Sequence, residues 1–186
     1  MRIRAATASD AAGIAEIYAH YVAATAITFE IDAPDEDELR SRIEAGGDLY
    51  PWFAAEEEGG TLAGYATAAP FRPRPAYRFT VETSVYLRAG AEGRGIGALL
   101  YAPLLETLEA QGFTQAIAAI ALPNAASVRL HERLAFAHAG TYRSVGWKLG
   151  RWHDVGLWQR PLAAPSPEPE EPRPWPAVSP LNRRGR

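Results

Sequence analysis

The chain has 186 residues, 47% of them hydrophobic, which suffices for one well-buried core but not for two ordinary domains plus a tail. A net charge of −3 gives no general attraction to nucleic acid or to an anionic membrane, and the absence of cysteine excludes disulfides, thiolate metal sites and a cysteine nucleophile. No apolar run approaches a membrane span and the start Met1-Arg-Ile-Arg-Ala5 lacks a signal-peptide core, so the expectation is a cytoplasmic protein whose partner is a small molecule.

Residues 2–6 are predicted to form a short strand. Thr7 to Asp10 then supply cap residues for a helix whose Ile14, Ile17, Tyr18, Tyr21 and Val22 recur at helical spacing and make one buried stripe. The segment Thr25-Ala-Ile-Thr-Phe-Glu30 is too apolar for a free loop and too short for a helix, so it covers something. Pro34 opens a second helix, acidic from Asp35 to Glu38, basic at Arg40 and Arg42, and stopped by Gly46-Gly47. Those charges suit the helix dipole and a solvated face better than a metal site. Trp52–Glu57 and Thr61–Ala69 read as two strands joined by Glu58-Gly-Gly60, a hairpin signature. Next, Pro70-Phe-Arg-Pro-Arg-Pro-Ala-Tyr-Arg78 is a proline-stiffened cationic loop suited to an acidic small molecule, and the acidity of the whole chain argues against nucleic acid there.

Residues 79–101, FTVETSVYLRAGAEGRGIGALLY, carry the most information. Val81, Thr83, Val85 and Leu87 alternate with Glu82, Ser84 and Tyr86, a strand with one apolar face and one bearing a carboxylate, a hydroxyl and a phenol. Gly93, Gly95 and Gly97 then strip side chains from the chain where a helix begins, leaving its first N–H groups uncovered for an anion at the positive end of the dipole. A P-loop is discarded because no lysine follows the glycines. A dinucleotide fingerprint fits Gly93, Gly95 and Ala98 but lacks the acidic residue about twenty positions on, since Ile117-Ala-Ala-Ile-Ala-Leu-Pro-Asn124 holds none. The pyrophosphate of coenzyme A is the third reading.

The helix runs on to about Gln111 with Gly112 as its stop, and Pro103 inside it predicts a kink or a widened turn. Thr114–Leu122 is the next strand, Asn124 caps another amphipathic helix through about Leu134, and Phe136–Arg143 and Trp152–Arg160 are the last two strands. Eight of the 15 prolines lie in the last 26 residues, so a folded domain over 1–162 is expected to precede a disordered tail over 163–186, with Arg183, Arg184 and Arg186 a solvated end.

The block Glu92-Gly-Arg-Gly-Ile-Gly97, after a strand and before a helix, resembles the [QR]-x-x-G-x-[GA] motif of the GNAT superfamily of N-acetyltransferases. Tyr50-Pro-Trp52, Thr80-Val-Glu82, Ser84-Val-Tyr86, Glu109-Ala-Gln-Gly-Phe113, Leu122-Pro-Asn124, Ser127-Val-Arg-Leu-His-Glu132 and Gly150-Arg-Trp-His-Asp-Val155 extend the resemblance, in order over roughly residues 2–160, to the phosphinothricin and methionine sulfoximine branch. One departure is Glu92, an acid where the motif has Gln or Arg. The resemblance implies an α+β fold: a mixed, mostly antiparallel seven-stranded sheet with splayed central strands, about four flanking helices, and the order β-α-α-β-β-β-α-β-α-β-β. It also implies acetyl-CoA as cosubstrate and a homodimer, while the few histidines and their spacing argue against a metal site.

Acetyl transfer from a thioester to an amine needs a neutral amine, a polarised carbonyl and a proton for the departing thiolate. Glu82, on the polar face and at the position of the family's proposed base, is the candidate for the first; its alternative is neutralisation by Arg72, Arg74 or Arg78. The resemblance assigns carbonyl polarisation and pantetheine pairing to the backbone of Val85, Tyr86 and Leu87. It assigns pyrophosphate binding to Gly93, Arg94, Gly95, Ile96, Gly97 and Ala98. His131 occupies the helix position where many relatives carry a tyrosine acid, against the alternative of a packed core histidine. Asn124 both caps its helix and, by resemblance, bonds the CoA chain, and Ser127 stands beside it in the first turn. Phe29, Arg72, Arg74 and Tyr77 offer an aromatic and guanidinium lining for an acidic acceptor. The expected activity is acetylation of a small acidic amino-acid-like amine. The alternatives are a non-catalytic acyl-CoA sensor and acetylation of a protein N-terminus or lysine.

Overall fold

The computed structural model describes residues 1–183; residues 184–186, which include Arg184 and Arg186 of the expected solvated end, lie outside the described residues. Seven segments become strands: β1 (Arg2–Ala5), β2 (Trp52–Glu56), β3 (Leu62–Pro70), β4 (Thr80–Leu87), β5 (Gln115–Leu122), β6 (Ala137–Lys148) and β7 (Arg151–Pro161). Between them lie α1 (Ala11–Ala24), α2 (Glu36–Gly46), α3 (Ile96–Gln111) and α4 (Ala125–Arg133). This is the expected order of elements. The sheet runs β1-β2-β3-β4-β5-β7-β6, with every neighbouring pair antiparallel except the parallel pair β4–β5.

Alternation within the strands divides the interior in two. One face of the sheet packs beneath α3, where Phe53, Val81, Leu100, Leu104, Leu108 and Phe113 are fully enclosed. The other face is covered by α1 and α2 through Ile14, Ile17, Val22 and Leu39. Each such side chain contributes about 1.5–3 kcal/mol by leaving water, so the two clusters dominate the stability. Among the described residues most buried polar side-chain atoms are matched, Gln111 Oε1 and Trp158 Nε1 being exceptions. Arg4 forks onto the carboxylate of Asp10 at 2.7 and 2.8 Å, and Asp35 caps α2 by accepting from the Glu38 N–H at 2.9 Å. α3 passes through Pro103 without a break.

The tail departs from the expected disorder. Two short helices, α5 (Trp175–Val178) and α6 (Pro180–Arg183), lie against the body. Trp175 packs edge-on to Phe53 and donates its indole N–H to the Gly47 carbonyl at 3.0 Å. Val178 and Ser179 are buried, and Gln111 donates to the Arg173 carbonyl at 2.9 Å. Composition predicts disorder because prolines and acids dominate the segment, but a tryptophan, a valine and a leucine at helical spacing are enough to seat it on an apolar surface.

The turn from α4 into β6 has one strained residue. The Phe136 N–H reaches back to the His131 carbonyl at 3.0 Å, which places Ala135 in the left-handed region at φ +63°. A β-carbon there costs about 1–2 kcal/mol. Ala135→Gly is therefore expected to stabilise the fold by about 0.5–1 kcal/mol, raising the melting temperature by about 1–4 °C in a calorimetric scan; an unchanged or lower melting temperature would contradict the strain.

Candidate active site

β4 and β5 are paired only at Thr80–Gln115, Val81–Ala116 and Glu82–Ile117, although β4 continues to Leu87 and β5 to Leu122. Beyond that point each stays with its outer neighbour: β4 with β3 up to the Leu87–Gly64 pair, β5 with β7 up to Leu122–Asp154. The sheet therefore forks, and Glu82 stands at the vertex. Inside the fork the backbone groups of alternate β4 residues turn away from β3. Those of Leu87 are taken by the Tyr21 hydroxyl, which donates to its carbonyl at 2.8 Å and accepts from its N–H at 3.2 Å. By the same alternation the N–H and C=O of Val85 face the gap, while those of Tyr86 point to β3.

Past the open end of the fork the chain makes the glycine turn. Gly93 and Gly95 have φ of +76° and +78°, and a Cβ at either would meet no atom within 4 Å, so glycine serves there for backbone conformation and open approach. Gly97 serves packing instead, since a Cβ would lie 3.0 Å from the Leu130 side chain. The N–H groups of Gly95, Ile96 and Gly97 donate to no acceptor among the described residues. They are left free at the positive end of the 16-residue α3, an arrangement suited to an anion. Glu92 does not spoil it: its carboxylate turns back to accept from the Gly90 N–H at 2.8 Å. Arg94 pairs with Glu57 at 2.8 Å, Ile96 is buried in the core, and Ala98 is exposed. Uncovered amides in open space, with the one nearby acid turned aside, fit a pyrophosphate.

Glu82 is half-buried and makes no hydrogen bond or ion pair among the described residues. Burial pushes its carboxyl above the ordinary glutamate range, and Arg72 draws it part of the way back. The alternative reading, a structural ion pair, is not what forms: Arg78 goes to Glu171 at 2.8 Å, and Arg72 lies over the Phe71 ring at 4.5 Å.

On the opposite face of the vertex, His131 is 3% exposed. Its Nδ1 lies 2.8 Å from the Ser127 carbonyl, so that nitrogen carries the proton, and Nε2 accepts from the Tyr101 hydroxyl at 3.0 Å. The phenol in turn lies 3.5 Å from the Thr83 hydroxyl. Burial lowers the pKa of His131, outweighing the Ser127 carbonyl, and raises that of Tyr101. Asn124 caps α4 by accepting from the Ser127 N–H at 3.1 Å.

The four predicted acceptor residues are not brought together among the described residues. Arg72, Arg74 and Tyr77 lie exposed on the loop before β4, with Tyr77 edge-on to Phe71, whereas Phe29 covers Gly146 and His153 on the β6–β7 hairpin. A cavity of about 520 Å³ beneath α2, bounded by Tyr18, Glu30, Arg42, Trp52, Tyr65 and Ser84, escaped the sequence reading, as did Tyr101. Tyr65 and Thr67 in β3, which pair with Tyr86 and Ser84 on the face of Glu82, are the signal that could have found it.

A family model described as an acetyltransferase (GNAT) domain matches residues 3–157. The phosphinothricin N-acetyltransferase of Streptomyces viridochromogenes is 44% identical over 174 residues, covering 94% of this chain and 92% of that protein. The L-methionine sulfoximine/L-methionine sulfone acetyltransferase of Salmonella typhimurium is 38% identical, covering 87% and 95%. Among solved structures, a GNAT superfamily phosphinothricin acetyltransferase from Sinorhizobium meliloti in complex with AcCoA superposes with a TM-score of 0.86 at 38% identity, covering 94% of this chain and 97% of that one.

If the glycine turn is the anion cradle, Gly95→Glu, which strains φ and brings negative charge to the free amides, should weaken CoA binding on the order of tenfold or more while the circular dichroism spectrum stays native. Calorimetric titration with wild-type affinity in that variant would place the cofactor elsewhere.

Proposed function

The chain belongs to the GNAT acetyltransferase family, and from that premise we propose that it moves an acetyl group from acetyl-CoA to the amine of a small acidic, amino-acid-like acceptor of the phosphinothricin or methionine sulfoximine type. The observation that carries the reading is the fork: a strand edge with a free backbone amide leads from the anion cradle at Gly95–Gly97 to a carboxylate without a partner at Glu82. Acetyl-CoA supplies an activated acyl thioester, its pyrophosphate on the cradle and its amide-bearing arm along β4.

Glu82 takes the proton from the acceptor ammonium, directly or through a water, so that the amine lone pair can attack. A carboxyl raised by burial suits this better than an ordinary one, because a more basic carboxylate holds the proton more firmly. The Val85 N–H, facing the gap, stabilises the negative charge that builds on the thioester oxygen. We assign the thiolate's proton to His131 acting through Tyr101: burial makes the imidazolium scarce but strongly acidic, and the phenol extends its reach to Thr83 at the vertex. Asn124 and Ser127 order the first turn of α4 beside the fork. Acidic acceptors are drawn by Arg72 and Arg74, exposed at the mouth with Tyr77, and Phe29 closes the hairpin side. The proposed steps use no metal.

Glu82→Gln is expected to lower kcat about 100-fold with phosphinothricin as acceptor and to leave the Kd for CoA within about twofold. In the wild type, kcat/KM should fall as pH drops through the Glu82 pKa, above the ordinary glutamate value. Arg72→Gln removes the cation that lowers that pKa and so should move the acidic limb to higher pH. Unchanged turnover in Glu82→Gln removes it as the base. CoA binding without thiol release from acetyl-CoA, whatever amine or peptide is added, would point to a sensor instead.

The proposal includes a cytoplasmic homodimer. A donor held inside cells supports the location, and no helix among the described residues is long and apolar enough to cross a membrane. The exposed Tyr142, Val145, Leu149 and the edge-to-face pair Trp147–Trp152, gathered on the β6–β7 hairpin, support the dimer. Sedimentation is expected to give a dimer for the wild type and a shift toward monomer for Trp152→Arg; a monomeric wild type would refute it.

A further inference from the structure

We propose that the cavity between α2 and the β3–β4 face is a second acceptor subsite, one that takes a flat, uncharged, aromatic side chain with a hydrogen-bonding group at its far end. The inference rests on the reading of Glu82 as base. Register supplies the connection. Glu82 is opposite Ala69, Ser84 opposite Thr67 and Tyr86 opposite Tyr65, so one row of side chains on one face leads from the vertex into the cavity, which Ala69 itself lines. Two residues of strand span about 6.8 Å, so an amine beside Glu82 leaves its side chain over Ser84 and Thr67, pointing toward the next pair, Tyr86 and Tyr65. At about 520 Å³ the space falls within the range of small-molecule sites.

The lining carries no free charge. Glu30 is held by both terminal nitrogens of Arg42, at 2.8 and 3.2 Å, and by the Tyr18 hydroxyl at 3.1 Å, while Arg42 also reaches Glu38. Desolvation opposes ionisation of Glu30, but those partners overcome it and keep the carboxylate charged, so the pair cancels. A phosphinate would find no spare cation there, and a second ammonium no spare carboxylate. The walls are rings instead: Trp52 stacks on Tyr65 at 5.6 Å and 15°, and Tyr65 on Tyr86 at 5.4 Å and 30°. Such a slab favours a flat aromatic guest.

Tyr65 supplies the polar end. It is 2% exposed and lines the cavity, yet its hydroxyl has no hydrogen-bond partner among the described residues. The hydroxyl opens into the cavity, so a ligand donor or acceptor can reach it where no protein group does. Acidic acceptors would stay with the arginine loop at the mouth, and aromatic ones would go inward.

The test is steady-state acetylation by the full chain with L-tyrosine, L-phenylalanine, L-alanine and phosphinothricin, in the wild type and in Tyr65→Phe and Thr67→Trp. Wild-type kcat/KM for L-tyrosine should exceed that for L-alanine by about tenfold or more. Tyr65→Phe, which removes one oxygen without changing shape, should lower the L-tyrosine value about tenfold and leave L-phenylalanine and phosphinothricin within about twofold. Thr67→Trp should fill the cavity and abolish the aromatic advantage alone. If phosphinothricin is turned over but L-tyrosine is no better than L-alanine, or Tyr65→Phe leaves the L-tyrosine value unchanged, the subsite is wrong and the base assignment stands. If no amine is acetylated by wild type, both fall.

Discussion

The parallel ladder between β4 and β5 ends after Glu82 and Ile117, while along its other edge each strand stays paired, β4 with β3 and β5 with β7. Twist carries the two half-sheets apart, and the backbone groups left in the gap need partners that the sheet no longer supplies. Tyr21 provides one at the far end, on Leu87. The groups nearer the vertex, Val85 foremost, remain for a ligand that can pair like a strand. Everything else at the site takes its position from that separation: the glycine turn lies past the open end, and α3 and α4 meet closely enough beneath it for Gly97 to touch Leu130.

The fork also separates two chemistries onto opposite faces. Toward α1 and α2 lie Glu82, Ser84 and Tyr86, partly open to solvent, where a proton can leave an amine. Toward α3 and α4 lie Thr83, Tyr101 and His131, enclosed, with the Tyr101 hydroxyl bonded to His131 and 3.5 Å from that of Thr83. Alternation along a single strand thus sends Glu82 to one face and Thr83 to the other. Burial moves the pKa of Glu82 up and that of His131 down, the directions that suit the proton acceptor and donor proposed for them.

Much of this was legible in the chain. The strand of residues 80–87, the glycine run and the cap at Asn124 are local: each depends on alternation, on φ, or on one side chain reaching the next turn, and each formed where expected. Whether the proposed acceptor residues meet was not legible, because Phe29 lies more than forty positions before Arg72 and Tyr77 and only packing decides it. Tyr101 was hidden for the same reason. On a helix rich in leucine its ring reads as core, and its hydroxyl acquires meaning only when α4 brings His131 to 3.0 Å. The tail misled through its composition, which averages over a segment in which three apolar side chains decide the outcome.

By itself, then, the order of residues determined the elements, the glycine turn and the face on which Glu82 stands, since these follow from forces acting within a few residues along the backbone. The tertiary structure alone decided where the ladder stops, which charges cancel and which hydroxyl is left without a partner. Those outcomes turn on contacts between distant segments, such as Glu30 with Arg42, Arg78 with Glu171 and Trp175 with Gly47, and no short-range periodicity encodes them.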